Sequence, residues 1–408
     1  MPTIAVLGTL DTKGLEVGFL TDQIRTHRCD ALVIDLGVLD APAIQPDISR
    51  ETVAEAAGEQ IEALAESGDR GVAVSAMTRG VEKIIPELYE RGRIDALIGI
   101  GGSAGTTMAT AAMRTLPMGV PKVMISTIAG GDVTAFVGSK DIAMIPSIVD
   151  ISGLNRISRQ VIVQAAAAVA AMAQAETPEA EDKPLIAASM FGNTTQCVEA
   201  ARRRFEAAGF EVLVFHATGA GGRTMEDLIA AGYIAAVLDV TTTELADELV
   251  GGVMSAGPTR LSSAAQAGIP TVVAPGCLDM VNFWAPESIP EKYRQRLFYQ
   301  HNPNVTLMRT TPEENRELGR RLAERVNESN GPVVVYLPLK GISVISAPGQ
   351  PFYSVEADQA LFGAIKENLT PEIPIHELDV NINDPAFADA VAKGLLDLLE
   401  QGDNVTTT

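Results

Sequence analysis

The segment Asp95-Ala-Leu-Ile-Gly-Ile-Gly-Gly-Ser-Ala-Gly-Thr-Thr107 decides the fold class of this chain. It opens with a short aliphatic run, passes through a glycine-rich turn and ends in hydroxyl residues that can begin a helix. A strand that leads into a helix through such a turn is the repeating unit of parallel α/β folds. We therefore expect a parallel sheet with helices packed on it.

The same unit recurs along the first half of the chain. Short β-branched runs alternate with segments whose apolar residues lie three or four positions apart, such as Val17, Leu20 and Ile24. This alternation predicts parallel βαβ units in a doubly wound, Rossmann-like α/β domain. The predicted strands are Thr3–Leu7, Ala31–Leu36, Gly71–Ser75, Asp95–Ile100 and Lys122–Ser126.

A second domain of the same class follows. The acidic, proline-bracketed stretch from Glu176 to Pro184 is interpreted as a linker, because it interrupts the alternation. We predict two Rossmann-like domains with mainly parallel sheets, one over residues 1–178 and one over residues 184–408. The predicted strands of the second domain are Leu185–Ser189, Val212–His216, Ile234–Val240, Thr271–Ala274, Val305–Arg309 and Val333–Leu337.

The two halves begin in a similar way. Ile4–Thr12 reads IAVLGTLDT and Ile186–Thr194 reads IAASMFGNT, so that each strand ends in a small loop with Asp-Thr or Asn-Thr. Duplication of an ancestral domain accounts for this match. Convergence on a common βαβ solution accounts for it equally well.

Charge and cysteine content limit the classes of partner. Asp and Glu number 52 against 31 Lys and Arg, so the formal charge is −21, which argues against nucleic-acid binding. Any phosphate ligand then needs local donors, such as the N–H groups at a helix start. Three widely spaced cysteines fit a reducing cytosol, and no apolar run reaches the ~18 residues of a membrane span. We expect a cytoplasmic protein that does not bind membranes.

The loop Gly99–Thr107 is the richest candidate for a ligand site. Ligands of open α/β sheets bind beyond the carboxyl ends of the strands, where glycines admit an oxyanion and a helix start offers N–H groups. The pattern Gly99-x-Gly101-x-x-Ala104 fits a dinucleotide fingerprint, but Val120–Ile125 lacks the acidic ribose ligand and no Gly-Lys-Ser/Thr completes a P-loop. The alternative is an ordinary tight turn. The predicted anion-binding residues are Gly101, Gly102, Ser103, Ala104, Gly105, Thr106 and Thr107.

Two further loops in the first half follow predicted strands. In Thr9–Gly14, Lys13 stands at a helix start, where the helix dipole disfavours a cation unless an anion binds there too. A solvated lysine beside an aspartate cap is the alternative. In Ser126–Asp132, Asp132 is a candidate ligand for Mg²⁺ or ribose. Candidate cations for phosphate neutralisation are Arg79, Lys140 and Arg156.

The second half carries candidate acid–base groups at its predicted strand ends. They are the side chains of His216, Asp239, Asp279, His301 and Lys340. No pair of histidines has the spacing of a transition-metal site. For each histidine the alternative is a helix cap or a satisfied buried imidazole, and for the Asp239–Glu244 helix start the alternative is a helix cap.

Several of these segments resemble the Tm-one-like ATP-binding family. They include LGTLDTKGLE (7–16), IGIGGSAGTT (98–107), DVTTTELADELVGG (239–252) and HNPNVTLMRTTPEE (301–314). The resemblance implies two Rossmann-like subdomains, a homodimer, and ATP with Mg²⁺ bound to the first subdomain. At matching positions it implies nucleotide contacts by Thr9, Asp11, Thr12, Lys13, Thr78, Arg79 and residues 101–107. Ala104 departs from the glycine expected there, which is acceptable only where its φ is negative.

Two functional hypotheses follow. The first is a nucleotide-binding protein that uses ATP as a substrate or as a structural ligand. No Walker lysine, arginine finger or evident base for phosphoryl transfer is present, so binding is predicted ahead of hydrolysis. The second is a metabolic enzyme that acts on a small oxo- or hydroxy-acid at the cleft between domains, using the five second-half residues. A regulatory module whose dimer responds to nucleotide is a third, non-enzymatic alternative.

Overall fold

The computed structural model describes residues 1–176 and 182–405, with side chains to residue 401. The chain divides into two compact units, Met1–Glu179 and Ala180–Thr408. The central residues of the predicted linker, 177–181, lie outside the described part of the chain. Both units are α/β, as the alternation predicted.

The N-terminal unit is built on a parallel sheet of five strands. Four of them were predicted within a residue or two, and the order is β2-β1-β3-β4-β5. The fifth strand, β5, follows the fourth after a connection that contains a short helix, α6 (Thr134–Val137). The strands are β1 (Thr3–Gly8), β2 (Asp30–Asp35), β3 (Ala96–Gly101), β4 (Lys122–Ser126) and β5 (Ile142–Pro146).

Helices cover both faces of this sheet. Ile4 and Val6 of β1 pack under one group of helices, and Ala5 and Leu7 pack under the other, because successive side chains of a strand point to opposite faces. Each face therefore has its own aliphatic core. The helices are α1 (Leu10–Thr26), α2 (Arg50–Ala56), α3 (Ile61–Ser67), α4 (Arg70–Glu90), α5 (Ser103–Thr115), α6 (Thr134–Val137) and α7 (Arg156–Ala173).

The prediction of a strand at Gly71–Ser75 is wrong, because these residues form the first turns of α4. The Asp69 carboxylate accepts hydrogen bonds from the N–H groups of Gly71 and Val72, at 2.8 and 3.1 Å, and caps the helix. The residues that α4 buries, Ala73, Met77 and Val81 among them, recur at helical spacing. A short β-branched run is thus absorbed into a longer amphipathic pattern.

The C-terminal unit contains a parallel sheet of six strands and a separate three-stranded antiparallel sheet. The large sheet has the order β14-β13-β9-β8-β6-β7, and the small one β10-β12-β11. The strands are β6 (Leu185–Met190), β7 (Glu211–His216), β8 (Ile234–Thr241), β9 (Thr271–Gly276), β10 (Met280–Phe283), β11 (Phe298–Asn302), β12 (Val305–Arg309), β13 (Val333–Pro338) and β14 (Ile375–Leu378).

The run Val305–Arg309 is a strand as predicted, but it does not join the parallel sheet. It pairs antiparallel with β10 and β11. Only Pro303 and Asn304 separate β11 from β12, whereas a parallel pair needs a crossover of a dozen residues or more. The short connection therefore forces a hairpin.

The described part of the C-terminal unit also contains seven α-helices and two short 3-10 helices. Among all helices of the described residues, none is both long and apolar enough to cross a membrane. The α-helices of the C-terminal unit are α8 (Thr195–Ala207), α9 (Ala220–Ala230), α10 (Glu244–Val250), α11 (Ser262–Ala267), α12 (Pro312–Asn327), α13 (Val355–Asn368) and α14 (Pro385–Val405).

The two large sheets share one strand order. Counted from its own first strand, each runs 2-1-3-4-5, and the C-terminal sheet adds a sixth strand. This order is one of the two common doubly wound orders, so it is consistent with both duplication and convergence. It also locates the switch point of each sheet, where connections leave in opposite directions, between its first and third strands. The loops after β1 and β3 therefore flank the natural ligand crevice of the N-terminal unit.

Candidate functional site

A cavity of about 590 Å³ lies at this switch point of the N-terminal unit. Its volume is within the range of ordinary small-ligand pockets. Three loops meet there, which follow β1, β2 and β3, together with α3 and the start of α4. Its polar wall includes Thr9, Asp11, Thr12, Lys13, Arg70 and Ser103, and its apolar wall includes Leu36, Val38, Leu39, Leu64, Ala73 and Met108.

The N-terminus of α5 forms one wall of the cavity. No side chain caps this helix, and the N–H groups of Ser103, Ala104 and Gly105 have no hydrogen-bond partner in the described part of the chain. The φ of Ala104 is not positive, so alanine fits the place where glycine was expected. Three unsatisfied donors and the positive end of a helix dipole therefore face the cavity, an arrangement that favours an anion.

Gly101 lets α5 begin close to its strand. A Cβ atom on Gly101 would lie only 2.9 Å from the Cα of Gly105. Gly101 is buried at the end of β3, so its contribution to the cavity is the close approach of the helix and not a direct contact. Thr106 is also buried, and its hydroxyl pairs with the Ser126 hydroxyl at 2.7 Å.

Two cations at the cavity have no partner of their own. Lys13 interrupts the helical geometry of α1 with φ −127° and ψ 15°, and its side chain is half-buried at the cavity wall. Arg70 is the first residue of α4, where the helix dipole disfavours a positive charge. Among the described residues neither side chain has a hydrogen-bond or ion-pair partner, so both are available to an anionic ligand.

The carboxylates of Asp11 and Asp35 hold the loops after β1 and β2 together. One oxygen of Asp11 accepts hydrogen bonds from the N–H groups of Val38 and Leu39, at 3.1 and 3.0 Å. One oxygen of Asp35 accepts from Leu10 at 3.0 Å and from Gly37 at 2.8 Å. The second oxygen of each carboxylate is buried without a partner. Burial raises the pKa of Asp35, with a smaller contribution from the charge of Asp11.

Thr78, Arg79 and Thr107 line a different, adjoining cavity of about 570 Å³. The Arg79 guanidinium pairs with Glu59 at 3.1 Å and donates to the Ser75 hydroxyl at 3.1 Å. The sequence prediction thus combined two neighbouring pockets into one site. They share the wall formed by Arg70, Val74, Ser103 and Ala104.

Asp132 lies outside the lining of both cavities. It is exposed, and hydrogen bonds from the Thr134 hydroxyl and from the Thr134 N–H, the latter at 2.9 Å, lower the pKa of Asp132. In the ranges 1–176 and 182–405, no three or more His, Cys, Asp or Glu side chains are grouped so that they could hold a metal ion. Asp132 therefore belongs to no such group of metal ligands, and the binding of Mg²⁺ there stays a prediction.

Asp239, a predicted acid–base residue, is bound in a buried ion cluster. Both of its oxygens accept hydrogen bonds from the Arg260 guanidinium, at 2.5 and 2.7 Å, and one also accepts from Ser189 at 2.6 Å. Arg260 is fully buried and pairs in addition with Glu244 at 2.7 Å and Glu226 at 3.2 Å. These contacts hold Asp239 inside β8 in an ion cluster and not as a helix cap, and its acid–base role stays a prediction.

The other four predicted acid–base residues are dispersed. Asp279 is buried and accepts from Ser343 at 2.8 Å, and Lys340 pairs with Asp379 at 2.7 Å. His216 and His301 are exposed, at the ends of β7 and β11. Among the described residues, no hydrogen bond or ion pair joins any two of the five. No direct contact of these kinds therefore links the five described groups, and their acid–base roles stay predictions.

Sequence reasoning missed Arg70 and Arg260. Arg70 was hidden because a strand was predicted directly after it; an arginine at the first position of a helix would have been a signal of the same kind as Lys13. Arg260 lies in the SAGPTRLSS motif and carries no spacing signal. Its position depends on contacts with residues 16 to 34 positions away.

A buried carboxylate in the C-terminal unit predicts a pH-dependent stability. Burial raises the pKa of Asp247 to about 7, although Asn282 donates hydrogen bonds to both of its oxygens. The folded chain then holds a proton that the unfolded chain releases above the ordinary aspartate pKa. Stability from this group is greatest below that ordinary value and falls by about 1.4 kcal/mol per pH unit as the pH rises towards 7.

We expect the Asp247→Asn variant to lose this dependence. We expect the free energy of unfolding, measured by urea denaturation from pH 4 to 7, to increase in the variant relative to wild type as the pH rises. The comparison with wild type is needed because Asp358, whose pKa is raised to about 6, titrates in the same window. A difference between variant and wild type that is constant with pH would contradict this prediction.

The chain thus consists of two doubly wound α/β units, the first with an anion-favouring cavity at its switch point. It belongs to a family described as "Uncharacterised protein family (UPF0261)", whose N-terminal domain matches residues 2–178 and whose C-terminal domain matches residues 183–399. This assignment confirms the resemblance found in the sequence, since the tomato Tm-1 proteins are among its relatives.

The sequence relatives cover nearly the whole chain. A UPF0261 protein of Clostridium tetani is 49% identical over 400 residues, covering 98% of this chain and 99% of the relative. The ToMV resistance protein Tm-1(GCR237) of tomato is 36% identical over 426 residues, covering 97% of this chain and 56% of the tomato protein.

Similarity to solved structures is remote. UDP-GlcNAc 2-epimerase from Neisseria meningitidis is 11% identical with a TM-score of 0.23, covering 67% of this chain and 82% of that one. E. coli heptosyltransferase II is 11% identical with a TM-score of 0.22, covering 68% of this chain and 85% of that one. The family assignment rests on the sequence relatives.

Proposed function

We propose that the N-terminal unit binds a nucleoside phosphate, ATP with Mg²⁺, in the cavity at its switch point. The observation that carries the proposal is the convergence on one cavity of the unpaired α5 N–H groups and the unpartnered cations Lys13 and Arg70. In a chain with a formal charge of −21, such local donors are what an anion requires. The resemblance to the Tm-one-like family favours ATP as this anion.

The two walls of the cavity suit the two ends of a nucleotide. The phosphates would lie against the α5 N-terminus with Lys13 and Arg70, and the base would pack on aliphatic side chains such as Leu64 and Met108. Asp11 lines the cavity and keeps one buried oxygen without a partner, so it is the residue that fits a Mg²⁺ ion carried by the phosphates. Bound Mg²⁺ would supply charge neutralisation of the phosphates.

Ligand-dependent unfolding tests the proposal. We expect ATP with Mg²⁺ to raise the unfolding temperature of the full chain, because a ligand that binds only the folded state stabilises it. ADP should do so less, and NAD should not substitute for ATP. The Lys13→Ala and Ser103→Ala variants should each reduce the ATP shift, whereas Lys393→Ala, an exposed lysine of α14, should retain it.

Two outcomes separate the possibilities. Absence of any shift with ATP at millimolar concentration would overturn the proposal. An undiminished ATP shift in both the Lys13→Ala and the Ser103→Ala variant would place the nucleotide in a different pocket.

We also propose the finer properties that the resemblance and the composition suggest. The chain forms a homodimer, which sedimentation equilibrium tests directly. The three free, buried cysteines fit a reducing cytoplasm, and the acidic surface does not favour nucleic acid. The hypothesis of an enzyme for a small oxo- or hydroxy-acid stays a prediction; Asp239 and Lys340, two of its proposed groups, are engaged in ion pairs.

A further inference from the structure

The second cavity of the N-terminal unit is a candidate for a separate binding site. It has a volume of about 570 Å³ and lies between α4 and the start of α5. Its lining includes Thr78, Arg79 and Thr107, which belong to no wall of the first cavity. We propose that it binds a small polyhydroxy carboxylate alongside the nucleotide. This deepens the proposed function and rests on it only for the simultaneous occupation of both cavities.

The cavity offers donors for a carboxylate at one end. Arg70 lies in the wall shared with the first cavity, and neither its guanidinium nor the Ser103 hydroxyl has a partner in the described residues. A planar guanidinium binds a carboxylate through two parallel hydrogen bonds. Arg79 adds a second cation, held by Glu59 in an exposed ion pair of the kind that contributes little and can rearrange.

The rest of the lining offers acceptors that suit hydroxyl groups. Thr78 donates its hydroxyl hydrogen to the Val74 carbonyl oxygen at 2.7 Å, and Thr107 donates to the Ser103 carbonyl oxygen at 2.9 Å. Each of these hydroxyls keeps lone pairs free to accept from a ligand. Ser75, whose oxygen accepts from Arg79, keeps its own hydrogen free to donate. Fixed acceptors at this end select a ligand with several hydroxyl groups over a simple carboxylate.

One property argues that this ligand is not the tail of the nucleotide. Lys13 and the glycines Gly102 and Gly105 at the α5 start line only the first cavity, so phosphate donors already lie there. The shared wall at Arg70 and Ser103 would bring the carboxylate of the second ligand near the phosphates of the first.

The test measures the unfolding temperature of the full chain with D-gluconate and D-glycerate, each with and without saturating ATP and Mg²⁺. Sorbitol and glycerol supply the hydroxyls without the carboxylate, and acetate supplies the carboxylate without the hydroxyls. We expect at least one of the two hydroxy-acids to stabilise the chain, both alone and in addition to ATP. The neutral polyols and acetate should not.

Isosteric variants distinguish the two sites. Thr78→Val and Thr107→Val should each weaken hydroxy-acid binding about tenfold, the loss of one well-placed hydrogen bond, while the ATP shift is retained. Thr115→Val is the matched control, because its hydroxyl makes the same local bond, to the Ala112 carbonyl oxygen, at the far end of α5. Lys13→Ala should show the reverse pattern, with ATP binding weakened and hydroxy-acid binding retained.

The outcomes separate this proposal from the proposed function. No stabilisation by either hydroxy-acid, with ATP shifts intact, would overturn the second site alone. Competition between the hydroxy-acid and ATP would show that one ligand fills both cavities, and would also overturn it. Loss of ATP binding in Thr78→Val and Thr107→Val would assign both threonines to the nucleotide site and contradict the proposal.

Discussion

Replacing Arg260 by methionine is expected to lower the free energy of unfolding by about 3–5 kcal/mol, which is the usual cost of removing one partner from a buried ion pair. The Arg260 side chain is fully buried and is bonded to the carboxylates of Asp239, Glu244 and Glu226. Without the guanidinium these three carboxylates would lie close together with no counter-charge. Methionine keeps the unbranched aliphatic part of the side chain and removes the guanidinium together with its hydrogen bonds.

Urea denaturation of the full chain measures this effect. Arg202→Met is the matched control, because Arg202 forms exposed ion pairs with Glu199 and Glu206 on α8 that contribute little to stability. We expect the control to change the free energy of unfolding by less than about 0.5 kcal/mol. A loss below about 1 kcal/mol in Arg260→Met would show that the cluster relaxes or takes up protons without it.

The Gly101→Ala variant is expected to bind ATP at least tenfold more weakly, while the chain stays folded. The added Cβ would meet the Gly105 Cα at 2.9 Å, below the ordinary contact distance, so that the start of α5 must move away from β3. That movement would displace the N–H groups that face the cavity. Overpacking of this kind costs about 1–3 kcal/mol of stability, which a unit with two aliphatic cores can bear.

Titration of ATP into the purified variant measures this prediction. Gly130→Ala is the control, since a Cβ there would have open space around it and the residue lies outside both cavities. The control should bind ATP as wild type does. An unchanged affinity in Gly101→Ala would show that the position of the α5 N-terminus does not determine binding.

The fold was largely predictable because local patterns agree with it. The Asp95–Thr107 segment forms β3 and the start of α5 at the expected residues, and the predicted helix start at Ser103 is confirmed. The failures occurred where tertiary contacts or a short connection overrode a local run. Gly71–Ser75 became helical under the Asp69 cap, and Val305–Arg309 was drawn into a hairpin.

The site was predictable only in part. Lys13 and Ser103 could be predicted because each lies at the start of a helix, and the structure places both at one cavity. The division into two cavities depends on how α4 lies against α5, which no local pattern encodes. The same holds for the ion cluster at Asp239, whose buried partner Arg260 lies 21 positions away in the sequence.

Calorimetric titration of the full chain with ATP and Mg²⁺, in wild type and in the Lys13→Ala/Arg70→Ala double variant, tests the central claim most directly. Arg93→Ala, an exposed arginine of the same unit without a side-chain partner in the described residues, serves as the control. We predict saturable binding of one ATP per chain in wild type and control, and at least a hundredfold weaker binding in the double variant. No binding by wild type, or equal affinity in the double variant, would contradict the nucleotide site at this cavity.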